Sequence, residues 1–239
     1  LDLKRKVVEI GADLGIAYDG DGDRIGIVDE NGERCEGDYI LILLARDLLT
    51  RHPGARIMVD VKCSQNLIDD IKAHGGIPFM YKTGHSLIQK KMREEGILLA
   101  GEVSGHMFFS ENYYGFDDAL LASCRLLQIL PQSNEPFSRH LAGLPKLYST
   151  PELKAPCPDS EKVVEKSRAS IMRGAWYNTI DIDGVRVILP DGWALVRASN
   201  TNPYLTLRVE AKSADRLQEI KELVYSKLRE FPSVTLPSE

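Results

Sequence analysis

From Leu14 to Leu130 short apolar runs alternate with longer amphipathic stretches, and this rhythm most constrains the fold. Leu14–Tyr18 and Ile25–Val28 read as two strands of a hairpin. A helix follows from about Asp38 to Arg51, closed by His52-Pro53-Gly54. Arg56–Asp60 has the composition of a short buried strand. Ser64 can cap a helix that runs to Ala73 and stops at His74-Gly75-Gly76. Ile77–Tyr81 is the next strand, and a helix with a basic face spans Ser86 to Glu95. Ile97–Ala100 and Met107–Phe109 read as strands, and Asp117–Leu130 as an amphipathic helix. Strands and helices in this order predict βαβ units around a mainly parallel sheet.

The pattern then changes. Six of the twelve prolines lie between Pro131 and Pro158, which marks a linker region. Beyond it one helix, Ser160–Met172, precedes strands at Tyr177–Asp181, Val185–Leu189, Trp193–Ala198 and Tyr204–Ala211. A last helix runs from Ala214 to Phe231. Asp183-Gly184 and Asp191-Gly192 are turn signals between these strands. The predicted class is α/β: a βαβ-type mixed-sheet domain followed by a smaller α+β domain.

Composition narrows the partners. The 239 residues carry a net charge of -5, which argues against a nucleic-acid or anionic-membrane binder. The longest apolar run, Tyr39–Ala45, is broken by Arg46 and Asp47, well short of the ~20 residues a membrane span needs. Cys35, Cys63, Cys124 and Cys157 are scattered, which fits reduced thiols in a cytoplasmic protein rather than a zinc site. Leu1–Val8 has neither an initiator Met nor the shape of a signal peptide. It reads as the middle of a helix, so the chain is expected to begin inside a longer protein.

Between the first two strands lies Asp19-Gly20-Asp21-Gly22-Asp23-Arg24. Three carboxylates at alternate positions repel one another unless a cation gathers them, and the glycines let the backbone close around it. Hard oxygen ligands suit Mg²⁺ or Ca²⁺, so Asp19, Asp21 and Asp23 are candidate metal ligands. Arg24 adds an anion hook, and a cation beside an arginine suits phosphoryl transfer. Two other readings stand beside this one. Counted from Asp19, with Glu30 at position twelve, the loop imitates an EF-hand, although Arg24 replaces the required Gly. A solvated Asp-Gly hairpin turn is the plainer alternative.

Three further motifs carry chemistry. Gly101-Glu102-Val103-Ser104-Gly105-His106 follows a buried strand and offers Glu102 and Ser104 to a polyhydroxylated ligand, or simply caps the neighbouring backbone. Lys82-Thr83-Gly84-His85-Ser86 sits at a strand-to-helix junction that favours anions. There His85 can shuttle protons, or else Ser86 merely caps the helix. Arg197-Ala198-Ser199-Asn200-Thr201-Asn202-Pro203 puts a guanidinium, hydroxyls and amides at a strand end, a set suited to phosphate. Lys62 alone favours no function over an ordinary surface lysine.

The ordered set DGDGDR, KTGHS, GEVSGH and RASNTNP resembles the α-D-phosphohexomutase superfamily over nearly the whole chain, most closely its bacterial phosphomannomutase/phosphoglucomutase branch. The resemblance implies four domains. Residues 1–33 would be the tail of the second, with the metal loop; 34–145 the third, sugar-binding; and 146–239 the fourth, phosphate-binding. It implies a phosphoprotein that interconverts mannose or glucose 1- and 6-phosphates through a phosphoserine and a bisphosphorylated sugar, with Mg²⁺ on Asp19, Asp21 and Asp23. By the same resemblance Arg24 would lie near the transferring phosphoryl group. Lys62, His85 and His106 would line the reaction centre. Glu102 and Ser104 would hold sugar hydroxyls, and Arg197, Ser199, Asn200 and Thr201 would grip the distal phosphate. The expected enzyme is a cytoplasmic, monomeric isomerase.

The sequence departs from that pattern in one respect. The Thr-Ala-Ser-His-Asn-Pro-like nucleophile loop of the first domain does not occur here, and Ser199 follows Arg197 in the place of the clamp. This chain alone is therefore expected to be inactive without the N-terminal domains of the same enzyme. Glucosamine-type members carry Ser-Gly-Thr-Glu-Pro in the last loop. Ser199-Asn200-Thr201-Asn202-Pro203 favours mannose and glucose phosphates, with phosphoglucosamine mutase the alternative. Val103 stands where the closest group has Met. Other classes also remain open: a non-catalytic calcium or sugar-phosphate module, and a phosphatase phosphorylated on Asp19.

Overall fold

A computed structural model describes residues 2–130, 134–174 and 178–237. Leu1, Pro131 and the start of the expected strand at Tyr177 lie outside the described residues. The chain divides into two compact units, Leu1–Pro145 and Lys146–Glu239.

The first unit opens with helix α1 (Asp2–Ile10) and an antiparallel sheet of β1 (Leu14–Tyr18), β2 (Ile25–Asp29) and β3 (Arg34–Cys35). Helix α2 (Gly37–Arg51) follows. It is apolar on nearly every face, with Ile40, Leu41, Ile42, Leu43, Leu44 and Ala45 all buried. Such a helix must be enclosed, and α2 packs against strand β6 (Leu99–Gly101), helix α3 (Gln65–Ala73) and helix α5 (Ala119–Ile129). The four-stranded sheet runs β5-β4-β6-β7, with β4 (Arg56–Asp60), β5 (Ile77–Tyr81) and β7 (Met107–Phe109). β4 pairs in parallel with β5 and β6, while β6 and β7 are antiparallel. Helix α4 (His85–Glu95) joins β5 to β6.

Helix starts differ instructively from the expectation. Ser64 does cap α3, accepting from the Asn66 N–H at 3.1 Å. Ser86 does not cap α4: the helix begins at His85, behind Gly84 at φ 130°. α5 begins at Ala119 rather than at Asp117, and Asp118 caps it by accepting from the Leu121 N–H at 2.9 Å.

The second unit is antiparallel throughout. Strands β10 (Asn178–Ile180), β11 (Val185–Leu189), β12 (Gly192–Ala198) and β13 (Tyr204–Ala211) pair in sequence. The proline-rich stretch is only partly a linker, because β8 (Tyr148–Ser149) and β9 (Leu153–Pro156) pair with the outer side of β13. An edge position tolerates Pro156, the last residue of β9, since no ladder there needs its missing N–H; Pro151 lies between β8 and β9. Helices α6 (Ser160–Gly174) and α7 (Ala214–Leu228) pack on this sheet.

One ion network ties the first unit together at the end of α2. Glu111, past β7, accepts from Arg51 Nη2 at 2.8 Å and Nε at 3.0 Å, and His52 Nε2 lies 2.8 Å away. Hydrogen bonds from Arg51, and secondarily from His52, outweigh burial and hold the Glu111 carboxyl down to about 2. A depressed carboxyl stabilises the fold above its ordinary value of 4.5, and loses that contribution as pH falls toward 2. Glu111→Gln should therefore cost about 1 kcal/mol in urea melts at pH 7. The gap between variant and wild type should close as the melts are repeated toward pH 2. A gap that persists at that pH would contradict the assignment.

Candidate functional site

The motif residues of the first unit collect at the carboxyl ends of its parallel strands, where α/β sheets hold ligands. β4 ends in Asp60 and leads to Lys62. β5 leads to Thr83, Gly84 and His85, and β6 to Glu102. Glycine makes the close packing possible. A Cβ on Gly37, at the start of α2, would lie 2.6 Å from the carbonyl oxygens of both Glu102 and Val103. Gly105, at φ 100°, would clash with the Ile25 carbonyl at 2.4 Å.

Glu102 is 2% exposed. Its Oε1 accepts from the Gly84 N–H at 2.9 Å and its Oε2 lies 2.9 Å from His106 Nδ1. Burial pushes this carboxyl up, but the His106 hydrogen bond, the Gly84 amide and the charge of Lys62 prevail and hold it below its ordinary value. His106 moves the other way. Burial opposes its charge, yet Glu102 and then Asp23 raise its pKa. The Ser104 hydroxyl lies 2.7 Å from His106 Nδ1, and Ser104 itself is exposed. With Nδ1 held by Glu102, Nε2 is the nitrogen left for proton transfer; it lies 3.5 Å from Asp23 Oδ1. In this state both oxygens of Glu102 are committed to the protein, whereas Ser104 bonds His106 from an exposed position.

The acidic loop reaches the same place. Arg24 and His106 form an antiparallel bridge, and the Ile25 N–H donates to the Gly105 carbonyl at 3.1 Å. Ligand oxygens of Asp19, Asp21 and Asp23 lie within 4.8 Å of one another. Arg24 Nε donates to Asp19 Oδ2 at 2.5 Å and its backbone N–H to Oδ1 at 3.1 Å. Against the opposing effect of burial, these bonds hold Asp19 down to about 2. Asp23 is raised, first by burial and then by Asp19, Asp21 and Asp117, with His106 opposing. Its buried Oδ1 has no hydrogen-bond partner, as a carboxylate placed for a cation would. The donor set therefore fits a hard divalent ion. The EF-hand alternative does not survive: strands, not helices, flank the loop, and Glu30 turns to the Ser138 hydroxyl at 2.5 Å.

Lys62 is buried beside Asp60, Nζ to Oδ2 3.7 Å, and so is not the ordinary surface lysine its isolated position allowed. His85 is exposed. Its ring centroid lies 6.4 Å from that of His106, and its Nδ1 lies 3.9 Å from Asp117 Oδ2. Asp60 and Asp117 are the neighbours that sequence reasoning missed. Asp117 was hidden as a helix start, although of two consecutive aspartates only one can cap. Here Gln89 holds Asp117 Oδ1 at 3.0 Å while buried Oδ2 has no hydrogen-bond partner.

The second unit holds the other cluster. Arg197, 5% exposed, lies near the end of β12, and Ser199, Asn200 and Thr201 follow in the loop to β13. The Ser199 N–H donates to the Tyr204 carbonyl at 3.0 Å, which closes the loop. Asn202 Nδ2 donates to Thr201 Oγ1 at 2.8 Å.

Comparison with known proteins points one way. Residues 36–148 match the phosphoglucomutase/phosphomannomutase alpha/beta/alpha domain III, and residues 152–227 match the C-terminal domain of the same family. A phosphomannomutase/phosphoglucomutase of Pseudomonas putida is 47% identical over 99% of this chain and 51% of its own length. A phosphoglucomutase of Neisseria gonorrhoeae is 43% identical over 95% of this chain and 50% of its own. The crystal structure of a phosphoglucomutase/phosphomannomutase family protein from Burkholderia thailandensis superposes with a TM-score of 0.91 at 44% identity. That match covers 99% of this chain and 51% of the other. The chain spans about half the length of the curated relatives it matches. Among the described residues no helix is long and apolar enough to cross a membrane.

The seat of the site can be tested through α2. Gly37→Ala forces backbone apart at Glu102 and Val103 and should cost about 1–3 kcal/mol of stability by chemical denaturation. It should also shift the amide resonances of Gly84 and His106. Unperturbed amides in a stable variant would show that α2 does not seat this turn.

Proposed function

The chain belongs to the phosphoglucomutase/phosphomannomutase family, and from that premise we propose that it forms the metal-, sugar- and distal-phosphate-binding parts of an enzyme interconverting hexose 1-phosphates and 6-phosphates. The observation that carries this reading is the convergence of the acidic loop, Lys62, His85 and the Glu102–His106 pair at one sheet end. Mannose and glucose phosphates are the proposed substrates, on the strength of the Ser199–Pro203 loop. The proposed domain division is 1–33, 34–145 and 146–239.

Asp19, Asp21 and Asp23 would hold Mg²⁺, whose chemistry is to neutralise charge on a phosphoryl group. Arg24, which now bonds Asp19, adds a second positive charge that can turn to the same group. His106, oriented through Nδ1 by Glu102, exchanges a proton with a sugar hydroxyl at Nε2. His85, at the start of α4, and the cation of Lys62 complete the site. Ser104 meets a sugar hydroxyl. Arg197, with Ser199, Asn200 and Thr201, grips the phosphate that does not react.

Two measurements test the reading. Asp21→Asn should weaken Mg²⁺ binding at least tenfold by calorimetry, since one of three carboxylates loses its charge. Arg197→Ala should weaken glucose 6-phosphate binding about 10- to 100-fold, the range expected for hydrogen bonds to a charged group. Equal affinity in wild type and Arg197→Ala would remove the anchor from the scheme.

A further inference from the structure

Arg197 is held before any phosphate reaches it. Its Nε donates to Asp183 Oδ2 at 3.0 Å and its Nη2 lies 3.4 Å from Asp183 Oδ1. Both side chains are largely buried, 7% and 14% exposed. Asp183 stands in the turn between β10 and β11, immediately before Gly184. Gly184 has φ 79°, and a Cβ there would lie 2.5 Å from Arg197 Cβ and 2.5 Å from the Val196 carbonyl oxygen. The turn therefore lies flush against the root of Arg197, an approach that only glycine permits. A casual counter-ion on the surface needs neither the burial nor the glycine.

We propose that Asp183 is a positioning residue for the anion site of the second unit. On this view the Asp183-Gly184 turn grips the Nε–Nη2 edge of Arg197 and leaves its other N–H groups for a phosphate. The inference rests on the reading of Arg197 and the Ser199–Thr201 loop as a phosphate clamp. Guanidinium donors are arranged in a rigid planar fork, so fixing one edge aims the remainder. Arg197 and Ser199, two positions apart along extended chain, start on the same face. Holding the long arginine side chain in advance spares the ordering entropy that binding would otherwise cost.

Two effects of Asp183 oppose each other, and their sign is measurable. Its negative charge repels an anion, whereas its grip orders the arginine that binds one. The experiment uses the 239-residue chain, calorimetry with glucose 6-phosphate, and arginine Nε–H NMR. In wild type the Arg197 Nε–H should give a slowly exchanging resonance that persists at saturating glucose 6-phosphate. Asp183→Asn should lose that slow exchange and bind about tenfold more weakly, even though it removes a negative charge. Equal or tighter binding by Asp183→Asn overturns the proposal, and so does loss of the wild-type resonance on saturation, which would mean the ligand displaces Asp183. The wild-type resonance needs no variant, so the question is decided even if Asp183→Asn does not fold. Failure of the clamp itself has a different signature: glucose 6-phosphate then binds wild type and Arg197→Ala alike.

Discussion

The arrangement of the first unit depends on one buried carboxylate. Removing Glu102 from water is unfavourable unless its oxygens are filled. They are filled by groups from two other segments, the Gly84 amide on one oxygen and His106 on the other. One side chain thus joins the end of β6 to the turn after β5 and to the approach to β7. The two motifs read separately as KTGHS and GEVSGH are, in three dimensions, opposite ends of a single hydrogen-bonded device. The Lys62 charge supports it from the end of β4, so all three parallel strands contribute.

The acidic loop is attached to this device by backbone as well as by charge. The Arg24–His106 bridge and the Ile25–Gly105 hydrogen bond make the hairpin an extension of the site. Side-chain chemistry then follows from spacing. Alternate aspartates bring their oxygens within 4.8 Å of one another, a separation at which like charges repel strongly in a partly buried place. Arg24 bonds Asp19 and lies only 3.8 Å from Asp23, whose pKa stays raised and whose buried Oδ1 has no hydrogen-bond partner.

Much of this was legible in the sequence. Strand and helix order in the first unit follows from apolar periodicity, and four short motifs marked the clustered residues. What escaped was decided by tertiary contact. Pro156 looked like a linker residue because a proline is unwelcome inside a sheet, yet it ends β9, at an edge where it is harmless. Ser86 had the right chemistry for a cap, but the helix already begins at His85, behind Gly84 at φ 130°, whose N–H donates to Glu102. Asp117 was invisible as a site residue because its neighbour Asp118 does the capping that a helix start demands. Asp183 was read as half of a turn signal, and nothing in a one-dimensional string shows that the turn closes on Arg197.

Charge balance separates the work of the two clusters. At the sheet end Asp19, Asp21, Asp23, Asp60, Glu102 and Asp117 face Arg24, Lys62 and two histidines. Carboxylates outnumber the permanent cations there, so a phosphate approaching that surface meets net repulsion, which a divalent ion on the acidic loop would reduce. The Arg197 cluster is built on the opposite plan. Arg197 pairs with Asp183, and the hydroxyls and amides beside it carry no charge. Such a site needs no metal to receive a phosphate, but it gains little from long-range attraction and must rely on geometry. On the proposed reading, a fixed guanidinium therefore matters in the second unit, whereas in the first a cation on the acidic loop would set the charge that a phosphate meets.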